Sequence, residues 1–206
     1  MTTTIIQRTR CTLNQLRDEL LAERIDGHHW IGTLSPSALS TATAVSAMSA
    51  VLIHSGEPAN RDRLVQCIAS GIQYLQNQQN EDGGFGDTDR SHSNIATSYL
   101  VLAASDLAGQ AINQALEAET ILKLNHYIDQ LGNTEALKNR YGKDKTFVVP
   151  ILTNMAIAGL VPWSNVAALP FEAAVFPQSM YRLLQMPVVS YAIPALVAIG
   201  QARHFH

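Results

Sequence analysis

The sequence predicts an all-α protein assembled from helix-hairpin repeats, and three observations carry that prediction. Leu64, Ile68, Gly71, Ile72 and Leu75 fall at helical spacing and give one apolar face, which runs into a stretch of amide side chains ending at Gln79 and Asn80. That helix meets Glu81-Asp82-Gly83-Gly84-Phe85-Gly86-Asp87, where clustered glycines permit positive φ and close backbone approach, so it must stop abruptly. The pattern then recurs: Asp26-Gly27 followed by Trp30 precedes Asp82-Gly83 followed by Phe85, and Ala42-Thr43 precedes Ala96-Thr97, at a period of about 55 residues. Each unit is a helix, a turn with an aromatic, and a second helix, and such units bury their faces only by stacking or closing into a ring.

Taken in order, residues 10–24 read as a helix with Leu13, Leu16, Leu20 and Leu21 on one side. The turn Asp26-Gly27-His28-His29-Trp30-Ile31-Gly32 ends it. Pro36 stands where a helix begins, with Ser35 as its expected N-cap. Residues 37–52 are Ala, Ser, Thr and Val with almost no charge, which implies neighbours on both sides. Gly56 and Pro58 close that helix, and Asn60 opens the one that leads into the joint. There Gln79 is placed to hydrogen-bond backbone groups freed at the helix end, and Phe85 is the one large apolar side chain able to fold back as an anchor. The expected clasps between hairpins are therefore Trp30 and the Gln79, Gly83, Phe85 set.

A helix over 115–131 carries Leu116, Ile121, Leu124, Ile128 and Leu131 inward. Residues 132–145 are the most polar stretch and read as a solvated connection. Residues 147–160 are a nearly uncharged helix in the place of a third inner one. Beyond it Pro162, Pro170, Pro177 and Pro187 come too close together for long helices, so short turns are expected. A last helix over 188–202 follows, with Pro194 kinking it. The closing residues 201–206 supply no polar cap, the pattern expected of a cut or unfinished array.

With 206 residues the chain suits one domain or a large piece of one. Only 15% of residues are charged, against roughly 25% in ordinary soluble domains, which fits elements buried on several sides. A net charge of −3 with scattered Lys and Arg argues against nucleic acid as a partner. Cys11 and Cys67 have neither metal spacing nor a disulfide framework and read as reduced thiols. No cationic start precedes an apolar core at the N-terminus, and no uninterrupted apolar run reaches membrane-spanning length. The expected setting is the cytoplasm, with peripheral contact at a membrane surface left open.

The central stretch resembles the glutamine–tryptophan repeat of the squalene–hopene cyclases and related class II terpene cyclases: Gly71, Tyr74-Leu75, Gln79, Gly83 and Phe85 fall on its positions. Ser70 stands where the repeat has a basic residue, and Phe85 where it has tryptophan. The turn carrying Trp30 looks like the family's first repeat turn. Phe147 through Pro162-Trp163, then Pro170, Pro177 and Ser190-Tyr191-Ala192, follow the order of the family's N-terminal half. The resemblance implies a single domain over 1–206, an α/α toroid forming part of an α6/α6 barrel, as the N-terminal portion of a longer two-barrel protein. It implies acid-initiated polycyclisation of a linear isoprenoid, a triterpene-forming isomerase or lyase reaction, in which this barrel lines the cavity and its entrance.

The acid in that family is Asp-x-Asp-Asp, a carboxyl sharpened by its neighbours' hydrogen bonds, and it belongs to the other barrel. The nearest string here, Asp87-Thr88-Asp89-Arg90, reads as a helix-capping loop, so no catalytic residue is assigned and the chain alone is expected to be inactive. No Mg-diphosphate aspartate cluster or zinc-ligand spacing is present, and neither metal nor cofactor is called for. His28-His29 reads as a turn; Ser35, Ser37, Ser40 and Ser46 lack a nucleophile elbow and read as packing. Candidates for the substrate cavity are Phe147, Trp163, Phe171, Tyr181 and Tyr191, whose π faces could steady a travelling carbocation, and Asn154, a polar amide where the family is expected to carry an aromatic. Expected partners are a second barrel domain or partner chain, an isoprenoid or other lipid, and a membrane surface met through residues 160–200. The alternative is a non-catalytic helical-repeat barrel that binds a lipid or a protein.

Overall fold

A computed structural model describes residues 2–141, 145–169, 171–183 and 193–206. Chain contacts divide it into two compact units, Met1–Ser35 and Pro36–His206. Among the described residues the secondary structure is helical, with one isolated antiparallel bridge, Ile25 to His29.

Unit 1 contains α1 (Thr2–Ala22), which starts well before the expected residue 10. After it, Asp26 and Gly27 both adopt positive φ, 51° and 71°, inside the Ile25–His29 bridge. Trp30 folds back on its own helix: the indole N–H donates to the Leu20 carbonyl at 2.6 Å, and the Arg24 guanidinium sits 4.8 Å over the ring. Trp30 is 45% exposed and fastens the end of α1. Leu13, Leu16 and Leu20 remain exposed.

Unit 2 is built on two hairpins. In the first, α2 (Ala38–His54) packs on α3 (Arg61–Gln76); in the second, α4 (Ile95–Ile112) packs on α5 (Ala118–Leu131). The α2–α4 contact is the most extensive in the molecule. Small residues make it possible: Ala42, Ser46 and Ser49 on α2, with Thr97, Val101, Ala104 and Ala108 on α4, are buried. Gly71 serves the α2–α3 contact in the same way, since a Cβ there would stand 2.5 Å from Val45 Cγ2. The outer helices α3 and α5 bury only one face each, with Ile68, Ile72 and Leu75 on α3 and Leu124, Tyr127 and Ile128 on α5. Both inner helices are capped by a side chain three residues ahead of the amide it satisfies, Ser37 for Ser40 N–H and Asn94 for Thr97 N–H.

Several expectations change. The N-cap of α2 is Ser37, not Ser35: the helix begins at Ala38, and Ser37 Oγ accepts the Ser40 N–H. Helix α2 keeps an exposed stripe of Ser40, Thr43, Ala44, Ala47 and Val51, so α4 is the helix with neighbours all round. It is also long and apolar enough to cross a membrane, but most of it is buried against α2, α3, α5 and α7. The stretch expected as a solvated connection holds α6 (Asn133–Tyr141): Gly132 and Asn133 turn the chain in the left-handed region, and fully buried Leu137 anchors the new helix.

Then α7 (Lys145–Ile157) packs on α4, α6 and α2 and carries Pro150 within it. Short 3₁₀ turns at Trp163–Asn165 and Phe171–Val175 and a brief α8 (Gln178–Leu183) follow, as the proline spacing predicts. The described part of the last helix, α9 (Ile193–Phe205), packs on α7 and on the second 3₁₀ turn. Pro194 is the second residue of that described part. Tyr191, Pro170, Pro187 and residues 188–192 of the expected helix lie outside the described residues.

Candidate functional site

The joint after α3 is held by a dense set of side-chain hydrogen bonds. Gln79 Nε2 donates to the carbonyls of Gly83 and Thr120, each at 2.9 Å. Gln76 makes a second clamp: its Nε2 donates to Thr120 Oγ1 at 2.6 Å, and its Oε1 accepts the Glu117 N–H at 3.0 Å. An amide thus caps α5, whose own N-cap, Glu117, makes no side-chain cap. Two glutamines one turn apart therefore tie the end of one hairpin to the start of the next helix.

The loop between them and α4 is held from its inner side. Phe85 is fully buried, its N–H donates to Ser98 Oγ at 3.1 Å, and its carbonyl accepts the Asn94 N–H. Asp87 accepts from Asn94 Nδ2 at 2.8 Å and, through a very short contact, from Thr97 Oγ1. Asp82 accepts from the Gly84 N–H and Ser93 Oγ. The glycines are sterically required: a Cβ on Gly84 would meet the Tyr127 ring at 2.7 Å, and one on Gly83, where φ is +83°, would meet the Lys123 carbonyl at 2.7 Å. Burial pushes the Tyr127 phenol up, the nearby Asp82 charge adds to this, and Arg140 opposes it. Burial raises the Tyr74 phenol too, with Asp89 contributing. On α5, the hydrogen bond from Lys123, reinforced by its charge, holds the Glu119 carboxyl below its ordinary value. Asp87 Oδ1 receives both the Asn94 amide and the Thr97 hydroxyl, so the loop carrying Asp87-Thr88-Asp89-Arg90 works as a brace for the α4 N-terminus.

The described aromatic candidates pack on different partners, with Trp163 and Phe171 both against the end of α9. Phe147 is half exposed and stacks on Tyr141 at 5.7 Å; Asn154 lies two turns further along the same face of α7, with Pro150 between them and Ile157 beyond. Asn154 Oδ1 is buried with no hydrogen-bond partner among the described residues. Trp163 stacks face to face with His206 at 4.6 Å. Phe171 lines a cavity of about 290 Å³ with Leu169, Glu172, Gly200, Arg203 and His204, in which Arg203 Nε also donates to the Val166 carbonyl. Tyr181 is partly buried on α8. Phe147, Asn154, Trp163 and Tyr181 do not share the Phe171 cavity. Among the described residues no three His, Cys, Asp or Glu side chains converge as a metal would need.

The residues that sequence reasoning missed are Gln76, Thr120, Asn94 and Thr97, whereas Asp87 falls in the string read as a helix-capping loop. Asn94 carried a readable signal, a capping side chain directly before an apolar helix. The partnership of Gln76 with Thr120 spans 44 positions and leaves no local trace.

Helical hairpins stacked through small residues and fastened by a glutamine-and-glycine joint define an all-α repeat protein of the α/α-toroid class. Within that class the chain belongs to the squalene-hopene cyclase N-terminal domain family, whose profile matches residues 13–193. No curated protein and no solved structure matches it.

Proposed function

We propose that this chain is the accessory barrel of a class II terpene cyclase-like enzyme, working against a second barrel that brings the acid for polycyclisation of a linear isoprenoid. The observation that carries this reading is the family match over residues 13–193. It is supported by the half-open face of α7, where Phe147, Pro150, Asn154 and Ile157 are presented together, and by the apolar side chains around residues 160–200. In this reading the face of α7 lines one wall of the cavity, and the apolar surface beyond it docks on the second barrel or rests at a membrane. The chain contributes shape and aromatic surface while the partner barrel supplies the proton, so the two halves are needed together.

Asn154 favours a second reading. A buried amide oxygen with no partner is a poor neighbour for a hydrocarbon and would suit a lipid bearing a donor group, bound without conversion. One experiment separates the two. The chain is co-expressed with a barrel carrying the Asp-x-Asp-Asp acid and incubated with squalene, and the extract is analysed by gas chromatography with mass detection. Cyclisation that needs both halves, and disappears when the acid motif is changed to Asn, supports the enzyme. Retention of squalene by the complex with no product supports the binding module.

A further inference from the structure

The two Asp-Gly turns that look equivalent in sequence differ in their exposure to a covalent rearrangement. From this we infer that Asp26-Gly27 is a site of spontaneous isoaspartate formation, while Asp82-Gly83 is protected. The reaction is attack of the Gly27 backbone nitrogen on Asp26 Cγ. A C–N bond forms, the carboxyl oxygen leaves as water with the amide and acid protons, and a five-membered succinimide results. Water then adds to the ring. Addition at the side-chain carbonyl restores aspartate, and addition at the main-chain carbonyl leaves the chain running through Cγ with a free α-carboxylate. The net change is an isomerisation that needs no oxidant or cofactor.

The geometry separates the two sites in solvent access and in hydrogen bonding. Asp26 and Gly27 are exposed, and neither the Asp26 carboxylate nor the Gly27 N–H has a hydrogen-bond partner among the described residues. Nothing lies within 4 Å of the position a Gly27 Cβ would occupy, so the nucleophile and the water that follows have open access. Asp26 is also a non-glycine residue in the left-handed region, at φ 51°. At the second site the attacking amide is engaged, since Gly83 N–H donates to the Asn80 carbonyl at 2.9 Å. The carboxylate is engaged too, accepting from Gly84 N–H at 3.0 Å and Ser93 Oγ at 2.7 Å. The Lys123 carbonyl blocks the face of Gly83.

Conversion at Asp26 inserts a methylene into the backbone between the bridge partners Ile25 and His29, next to the anchored Trp30. The test ages the full chain in mildly acidic buffer at body temperature, since the step consumes the carboxyl's own proton. Isoaspartate is read by methyl transfer from S-adenosylmethionine with a protein isoaspartyl methyltransferase, and the peptides are located by electron-transfer fragmentation. Label is expected at the peptide holding Asp26 and not at the one holding Asp82. Asp26→Glu, which cannot close the five-membered ring, abolishes the label. In denaturant the two Asp-Gly peptides convert alike. Equal conversion of both sites in the folded chain, or label that persists in Asp26→Glu, overturns the inference.

Discussion

The side-chain amide of Gln79 donates to the carbonyl of Thr120 at 2.9 Å, joining the end of α3 to the first turn of α5 across 41 positions of sequence. The same nitrogen donates to the Gly83 carbonyl, so one side chain sets both the closing of the turn and the place where the next hairpin docks. Removing it in Gln79→Ala leaves two carbonyls without their donor and costs about 1–3 kcal/mol. Gln79→Glu keeps the size but cannot donate while ionised and points a charge at both carbonyls. It is therefore expected to be at least as damaging at neutral pH and to recover partly in acid, once the carboxyl regains a proton. Urea denaturation followed by circular dichroism at two pH values checks both; a Glu variant as stable as the wild type at neutral pH would remove Gln79 from the joint.

Phe85 is fully buried beneath that turn, with its neighbours Gly84 and Gly86 pressed against Tyr127 and Ser91. Phe85→Ala opens a cavity with little freedom to collapse and is expected to cost about 3–5 kcal/mol. The informative change is Phe85→Trp, which installs the ring that the repeat normally carries. The site here is closed around phenylalanine, so the larger ring must displace its surroundings and is expected to destabilise by about 1–3 kcal/mol. Thermal unfolding of the two variants measures this, and a stabilised Trp variant would show that the pocket holds unused room.

Much of this was legible from the chain, and the reasons are local. The apolar spacing of Leu64 to Leu75 specified α3, and the glycines after Gln79 specified its end, because both signals lie within a few residues of their consequence. The helix over 133–141 was hidden because Leu137 is its one fully buried side chain among the described residues, with Ala136 and Tyr141 only partly buried beside it, and that makes no clear periodicity. Ser37, the cap in place of Ser35, also donates its hydroxyl to the Asp87 carbonyl, a contact across 50 positions that leaves no local trace. For the candidate site the residue types could be chosen but not their grouping. Phe147, Trp163 and Phe171 went to Tyr141, His206 and His204, pairings that tertiary structure alone decides.

Tyr99, almost entirely buried on α4, has its phenol pushed from 10.0 to about 12 by burial first and by the Asp129 charge second. The folded chain therefore keeps a proton that the unfolded chain releases near pH 10. Between those limits unfolding sheds a proton, so stability is fully present below pH 10 and falls as the pH rises toward about 12. Tyr127 and Tyr74 shift in the same direction and add to the slope. Tyr99→Phe removes the Tyr99 share and is expected to flatten the alkaline limb. Denaturant titrations at stepped alkaline pH measure it, and an unchanged slope in the Phe variant would place the titration elsewhere.

Val175 and Leu183 are more than four-fifths exposed, and Phe176 is half exposed between them, all in a stretch with few charges. Single exposed apolar residues are ordinary, but several along one short segment form a surface suited to a partner or a lipid. The chain by itself is accordingly expected to bind a hydrophobic dye and to sediment with liposomes. Because these side chains bury little against the rest of the protein, Val175→Ser with Leu183→Ser is expected to shift stability by no more than about 0.5 kcal/mol per site while reducing dye and liposome binding together. That combination distinguishes a docking surface from a loosened core, in which binding would rise as the melting temperature fell. A wild-type chain that stays monodisperse and takes up neither dye nor lipid would rule out the docking role of residues 160–200.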